Sequence, residues 1–324
     1  MNRRDFLIST TSAFLAAGTL PAFSLEASKR RVLVLVELQG ANDGLNTVIP
    51  HANDRYYSLR PNIGIPRADV LDLDGDQGLH PSLVRLRELY ERGFVKIFQN
   101  VGYENQIQSH FRSIEVWERG GDGNQNGRNG WFVQAAKESS VNQGYDAPGI
   151  YLGGTSDIFH GGLGYLGSAS FSELSDRQVT EFDHSPSKLP SMLRKLSSKR
   201  ETDLERNSVI AGKLKNSPRL SFIGGSLAGQ LGKVCQLLVA DVRAPVFKVT
   251  IGSFDTHADQ KNPHSKLLSA LDNAIYQTVS TLESYGLWDE VAIITYSEFG
   301  RRVKENGAKG TDHGTAAPHF LISK

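Results

Sequence analysis

The sequence predicts an α/β fold, a mainly parallel central sheet with helices on both faces. Four short, near-continuous apolar runs carry the first part of that expectation: Arg31 to Leu38, Phe94 to Val101, Phe247 to Gly252 and Val291 to Tyr296. Runs of this length and β-branched content read as strands buried on both faces, as in a parallel sheet. Amphipathic stretches alternate with them, at Ser82 to Arg92, Phe111 to Glu118, Leu220 to Val239 and Ser265 to Tyr285. The last repeats apolar residues at Leu267, Leu268, Leu271, Ile275, Val279 and Leu282, the spacing of a helix packed along one face. Strand and helix in alternation make a layered sandwich, and 324 residues suffice to bury a large core.

The chain before the first strand reads as an address. Arg3 and Arg4 precede Phe6-Leu7 and a mildly apolar stretch to Leu20 that is interrupted by Ser9, Thr10, Thr11 and Ser12. The run is too short and polar to span a membrane, and it resembles a twin-arginine (Tat) export signal. Residues 1–27 are therefore expected to be a signal peptide, with cleavage between Phe23 and Ser28, the Tat translocase as a transient partner and the periplasm as destination. Residues 28–324 form the expected folded domain. Within it, 151–217 is first Gly-rich, then polar and charged, and reads as an insertion capping one end of the sheet. The sequence stops at Phe320-Leu321-Ile322-Ser323-Lys324, inside a strand-like run, as a truncated product would.

Composition narrows the chemistry. With 36 basic and 35 acidic side chains the net charge is +1, which predicts no nucleic-acid partner. The single cysteine, Cys235, cannot form an intramolecular disulfide or a multi-cysteine metal site. Any metal must be held by His, Asp and Glu.

Such residues follow the expected strands, where open α/β sheets bind ligands. The first strand leads into Gln39-Gly40-Ala41-Asn42-Asp43-Gly44. The second is followed, one loop later, by Ser109 and His110 at a helix start. The third leads to Asp255 and His257, the fourth to Ser297 and Glu298, and Thr311-Asp312-His313-Gly314 precedes the last strand. Carboxylates and neutral imidazoles suit Zn²⁺, Mn²⁺ or a similar divalent ion, and two ions about 4 Å apart can hold both oxygens of a phosphoryl transfer. A hydroxyl at a helix N-terminus, as at Ser109, gains from the dipole and free amides, which also suit an anionic substrate. Each feature has an ordinary structural reading. Asp43 fits a turn, Ser109 an N-cap, Asp255 with His257 a loop network, and Asp312-His313-Gly314 another turn. Their joint placement favours a site.

Other motifs do not hold. Gly224-Gly225-Ser226-Leu227-Ala228 ends in Ala where a nucleophile elbow needs Gly, and reads as a helix start. Asp122 to Gly127 opens like a calcium loop, but its twelfth position is Val133.

The segments QGANDGLNTVIP, QSHFRSIEVWE, GSFDTHADQ, ITYSEFGRRVKENG and GTDHGTAAPHFLI resemble the successive signatures of the Tat-exported domain of unknown function 1501 family. That family is placed in the alkaline phosphatase and sulfatase-like superfamily. The resemblance implies an alkaline phosphatase-like three-layer sandwich and one or two divalent ions (Zn, Mn, Mg or Ca). By position it makes Asp43 a ligand of the metal next to the nucleophile and Ser109 the nucleophile, with His110 a rival. It makes Asp255, His257 and His313 ligands of the other metal, Asp312 a secondary ligand, and Glu298 the equivalent of the superfamily's strand-end Asp. Phe299 stands where that superfamily has a His ligand, so one metal site is expected to be weak, empty or filled by a harder ion. The implied activity is hydrolysis of a small anionic phosphate or sulfate ester. The alternative is a catalytically degenerate exported protein that binds metal and a ligand or partner.

Overall fold

The structure is a computed structural model that describes residues 31–122, 124, 127–138, 144–162, 166–167 and 205–324. The expected signal peptide, and 163–165 and 168–204 of the expected insertion, lie outside the described residues. In chain order the strands are β1 (Val32–Leu38), β2 (Val48–Ile49), β3 (Leu71–Asp72), β4 (Gly78–Leu79), β5 (Val95–Val101), β6 (Ile150–Tyr151), β7 (Leu166–Gly167), β8 (Val246–Ile251), β9 (Val291–Tyr296) and β10 (Ala317–Ile322). The helices used below are α1 (Asp54–Leu59), α2 (Val84–Glu91), α3 (His110–Arg119), α4 (Trp131–Glu138), α5 (205–215), α6 (Gly225–Val239) and α7 (Lys261–Ser284).

Valine-rich β1 lies at the centre of a seven-stranded sheet of order β5-β10-β9-β1-β8-β6-β7. It pairs in parallel with β8 and β9, and β8 in parallel with β6. Its period-2 alternation serves two layers of helices. Val32, Val34, Val36 and Leu38 join one core with Leu227 and Leu231 of α6, Leu268 and Ile275 of α7, and Leu86 and Leu89 of α2. Leu35, with Val246, Ile294 and Tyr296, joins a second core with Ile114 and Trp117 of α3 and Phe132 and Ala136 of α4. The expected sandwich with helices on both faces is thus present. Among the described residues no helix is long and apolar enough to cross a membrane.

Three features differ from expectation. β10 runs antiparallel between β9 and β5, with a register shift between Ala317 and His319, where Pro318 has no amide to give the ladder. β5 is not buried on both faces: as the outermost strand it exposes Lys96, Gln99 and Asn100. The stretch expected to be helical from Leu220 begins its helix only at Gly225. A small antiparallel sheet, β2-β4-β3, rests on two-residue strands too short for an alternation pattern to reveal.

This topology sets the site. The carboxyl ends of parallel β1, β8 and β9 and the amino end of antiparallel β10 share one edge, so the loops after Leu38, Ile251 and Tyr296 and the loop before Ala317 converge there.

Candidate metal centre

The loops at this edge are pinned backbone to backbone. Gly40 has φ +106°, and a β-carbon there would press on the backbone nitrogen of Asp255; only glycine fits. The next residue, Ala41, and Ser253 after β8 are non-glycine residues at positive φ, 64° and 76°, conformations that persist only where the surroundings enforce them. Arg301 does so here. Its buried guanidinium donates to Ala41 O at 2.8 Å, to Gly40 O, to Phe254 O at 3.3 Å and to Thr311 O at 2.9 Å. One side chain ties the loops after β1 and β8 to the segment before β10.

Four of the predicted residues meet at this junction. Ligand atoms of His110, Asp255 and His313 lie within 4.8 Å of one another. His110 Nε2 is 3.1 Å from His313 Nε2 and 3.4 Å from Asp255 Oδ2. His257 Nε2 stands at the edge of this group and outside its mutual spacing, 3.0 Å from His313 Nε2 and 2.9 Å from Asp255 Oδ1, and His313 Nε2 is 3.3 Å from that oxygen.

The outer nitrogens make these contacts informative. His110 Nδ1 faces Glu298 Oε1 at 2.6 Å, His313 Nδ1 faces the Gln108 carbonyl at 3.0 Å, and His257 Nδ1 faces Asp312 Oδ1 at 3.6 Å. Acceptors at the Nδ1 atoms of His110 and His313 favour a proton on that nitrogen, which leaves Nε2 of each ring to face the cluster, while His257 Nε2 also meets Arg301 Nη1 at 3.4 Å. Lone pairs about 3 Å apart repel unless a proton or a cation lies between them. A tetrahedral Zn²⁺ with bonds of about 2.0–2.1 Å would place its ligands about 3.3 Å apart, close to the spacings here. Histidine ligands backed by a carboxylate or carbonyl are the usual support of such ions. The donor set of imidazoles and one carboxylate therefore fits a divalent transition ion, Zn²⁺ better than Mg²⁺ or Ca²⁺.

Charge is arranged to match. The Glu298 hydrogen bond holds the His110 pKa above its usual range, against the effect of partial burial. Burial pushes the Asp255 carboxyl up, but Arg301, 2.5 Å from Oδ1, and the neighbouring histidines outweigh it and hold Asp255 ionised. Asn306 donates to Asp312 Oδ1 at 3.1 Å and to the His257 carbonyl at 2.9 Å, and the first of these bonds is the main cause that holds the Asp312 carboxyl below its usual value.

The remaining predicted residues stand elsewhere. Asp43, expected as a ligand, is fully buried away from the cluster. Arg60 grips both its oxygens at 2.5 and 3.0 Å, and Gln260 adds a bond at 2.5 Å. Burial opposes its charge, yet Arg60 keeps the pKa below normal. Glu298 backs a ligand instead of reaching the convergence point: Oε1 is taken by His110 and by the Gly40 amide at 2.8 Å. Phe299 is buried, its ring 4.9 Å from those of both His110 and His313, so it packs beneath two imidazoles. Ser109 sits at the N-cap of α3 but makes no capping bond, and its side chain is exposed. His110, expected as a rival nucleophile, has both nitrogens engaged in the cluster.

Arg301 and Arg60 escaped sequence reasoning. Both look like surface charges in polar loops, and only the buried loop carbonyls they serve reveal their role.

Most side chains of this centre come from one stretch of the chain. Residues 227–322 match DUF1501, a protein of unknown function. The DUF1501 segment supplies Asp255, His257, Glu298, Arg301, Asp312 and His313, while α3 brings His110 from outside it. The chain is similar to the C-terminal periplasmic domain of EcEptC from Escherichia coli in complex with Zn, at 12% identity over 92% of this chain and 74% of that one, TM-score 0.44. It is also similar to a protein in the alkaline phosphatase superfamily from Vibrio parahaemolyticus, at 13% identity over 95% and 67%, TM-score 0.41. For the lipoteichoic acid synthase LtaP from Listeria monocytogenes the figures are 9% identity, 97% and 71%, and TM-score 0.40. No curated protein sequence matches the chain.

Proposed function

We propose that this DUF1501 protein is an exported, metal-dependent hydrolase of the alkaline phosphatase and sulfatase-like type, acting on a small phosphate or sulfate ester. The convergence of three Nε2 atoms on Asp255, each ring backed by its own acceptor, carries the reading. His110, His257, His313 and Asp255 would hold one divalent ion. Bound there, the ion would polarise an ester oxygen and lower the pKa of a coordinated hydroxyl or water.

The chain's own residues supply the rest. Ser109, exposed and free of a capping bond, is placed next to ligand His110 and is the candidate nucleophile. The free amides of the first turn of α3 offer positive ends for an anionic ester. Glu298 orients His110, Asp312 faces His257 as a weaker support, and Arg301 fixes Asp255 and the loops around it. Residues 1–27 would direct export through the Tat translocase, with the mature N-terminus between Phe23 and Ser28; Edman sequencing of periplasmic protein checks this, and an intact Met1 would exclude it.

One observation favours the second reading, a metal-binding exported protein without turnover. Asp43, expected for a second ion, has both oxygens held by Arg60, and Glu298 has Oε1 engaged by His110 and the Gly40 amide, which leaves only Oε2 without a hydrogen bond. Metal-loaded protein assayed on aryl phosphate and aryl sulfate esters separates the two. The hydrolase reading expects turnover that Ser109→Ala and His257→Ala abolish while the fold persists. Binding of metal without hydrolysis of either ester supports the second.

A further inference from the structure

Helix α3 is held at both ends by carboxylates. At its start His110 bonds the Glu298 side chain, and Ser113 and Trp117 donate to the Glu298 carbonyl at 2.9 and 2.8 Å. At its end Glu118 reaches into the middle of the sheet, to a cluster that the site chemistry does not use.

Strand alternation builds this cluster. Glu37 on β1, Lys248 on β8 and Tyr296 on β9 fall on the face covered by α3, since Leu35, Val246 and Ile294, two residues before each, pack in the core beneath that helix. Register pairs Glu37 with Thr250 and Leu35 with Lys248, so the acid and the base are diagonal neighbours. Glu37, Glu118 and Lys248 are all 0% exposed. Glu118 is fully served: Lys248 and the Tyr296 hydroxyl, at 3.3 Å, donate to Oε1, and the Thr155 hydroxyl at 2.7 Å and Ile158 amide at 3.2 Å donate to Oε2. Lys248 also donates to the Thr155 carbonyl at 2.8 Å. Glu37 is served less well. Its Oε2 pairs with Lys248 Nζ at 3.0 Å, but that ammonium is shared with Glu118 and no other donor reaches either Glu37 oxygen. Two carboxylates against one ammonium leave a negative charge in a dry region, which a proton on Glu37 removes.

We propose that Glu37 is a buried proton-binding site, protonated when α3 is firmly seated, and that loss of its proton draws Lys248 away from Glu118 and loosens the helix that carries His110. The step is a proton transfer alone: the carboxyl O–H bond breaks, its electron pair stays on Glu37 and the proton passes to solvent. The groups facing Glu37 are Lys248 from β8, Glu118 from α3, Tyr296 from β9 and, farther off, Glu298. Burial raises the Glu37 carboxyl to about 7, against the pull of Lys248 and with a push from Glu118, and burial keeps Tyr296 neutral. The folded value lies above the ordinary 4.5, so the folded state holds the extra proton between the two, and stability falls as pH rises through that interval. The proposal does not rest on the metal centre, and metal-free protein serves for its test.

The test uses the full chain between about pH 6 and about pH 8. Asp272, a second carboxyl raised by burial, to about 6, is removed by working in the Asp272→Asn background. Infrared difference spectra should show a protonated-carboxyl band lost across this range, and Glu37→Gln should abolish that band. Hydrogen exchange of peptides covering 110–119 should match in the two proteins at the lower pH and be about tenfold faster with Glu37 intact at the higher one. No titrating carboxyl band, a band that survives Glu37→Gln, or an exchange ratio that does not change with pH would each overturn the proposal. The first of these needs only the Asp272→Asn protein, so the test stands even where Glu37→Gln fails to fold.

Discussion

Asp43 and Asp255 close the loops after neighbouring parallel strands of one sheet, and from the sequence either could hold a metal. Their surroundings separate them. The Asp43 side chain is 1% exposed and meets Arg60 on both oxygens, while that of Asp255 is 43% exposed and meets three imidazoles and one guanidinium nitrogen. Arg60 also joins Asp43 to the Val303 and Arg302 carbonyls, at 2.8 and 3.0 Å. Asp43 is thus the keystone of a buried ion pair, and Asp255 the anion of an open cluster. A carboxylate at a strand end becomes a ligand or a strut according to which cations fold against it.

The largest expected effect follows from the strut. Asp43→Ala leaves Arg60 buried with its charge unpaired and should cost about 3–5 kcal/mol in urea unfolding. Asp255→Ala should cost clearly less, because Arg301 keeps its loop carbonyls and the site is open to water. Equal losses in the two variants would break the comparison.

Next comes support of the ligands. Glu298→Gln should weaken Zn²⁺ binding by about 10–100-fold with the fold intact, the usual consequence of losing a carboxylate behind a ligating histidine. Asp312, half-buried and 3.6 Å from His257, should matter less, and Asp312→Asn should weaken binding by less than about tenfold. Isothermal titration of metal-stripped protein ranks the two; a larger loss for Asp312→Asn would reverse the assignment of Glu298.

The smallest effect concerns pH, and here two buried carboxylates have opposite signs. Asp43 is held below 3.8, so its contribution is present above that value and lost as pH falls through its lower folded-state value. Asp272 accepts the Leu86 and Arg85 amides at the start of α2 at 2.7 and 3.3 Å, yet burial lifts it from 3.8 to about 6. Its charge therefore costs stability progressively as pH rises from about 4 to about 6. Asp272→Asn should flatten the stability profile across that window, read from urea midpoints; an unchanged slope would contradict the shift.

The layered fold was legible because its core strands are apolar at nearly every position, as in VLVLVEL and VAIITY, a pattern few other structures need. The direction of β10 was not, since nothing in APHFLI distinguishes a parallel strand from an antiparallel one. Residues His110, Asp255, His257 and His313 were legible as chemistry after strand ends. Their division from Asp43 and Glu298 was not, because it depends on Arg60, Gln260 and the Gly40 amide, which reach the site from distant turns. Glu37 and Lys248 did carry a signal, a charged residue inside each of two neighbouring apolar strands, but its meaning depends on a register that appears only in the folded sheet.

The central claim is a single metal centre built from His110, His257, His313 and Asp255. Zn²⁺ titration of metal-stripped full-length protein, followed by elemental analysis and repeated with His313→Ala, tests it most directly. The account predicts one tightly held equivalent that His313→Ala releases while the unfolding midpoint of the metal-free protein changes little. No bound zinc, or an equivalent that survives His313→Ala, would contradict it.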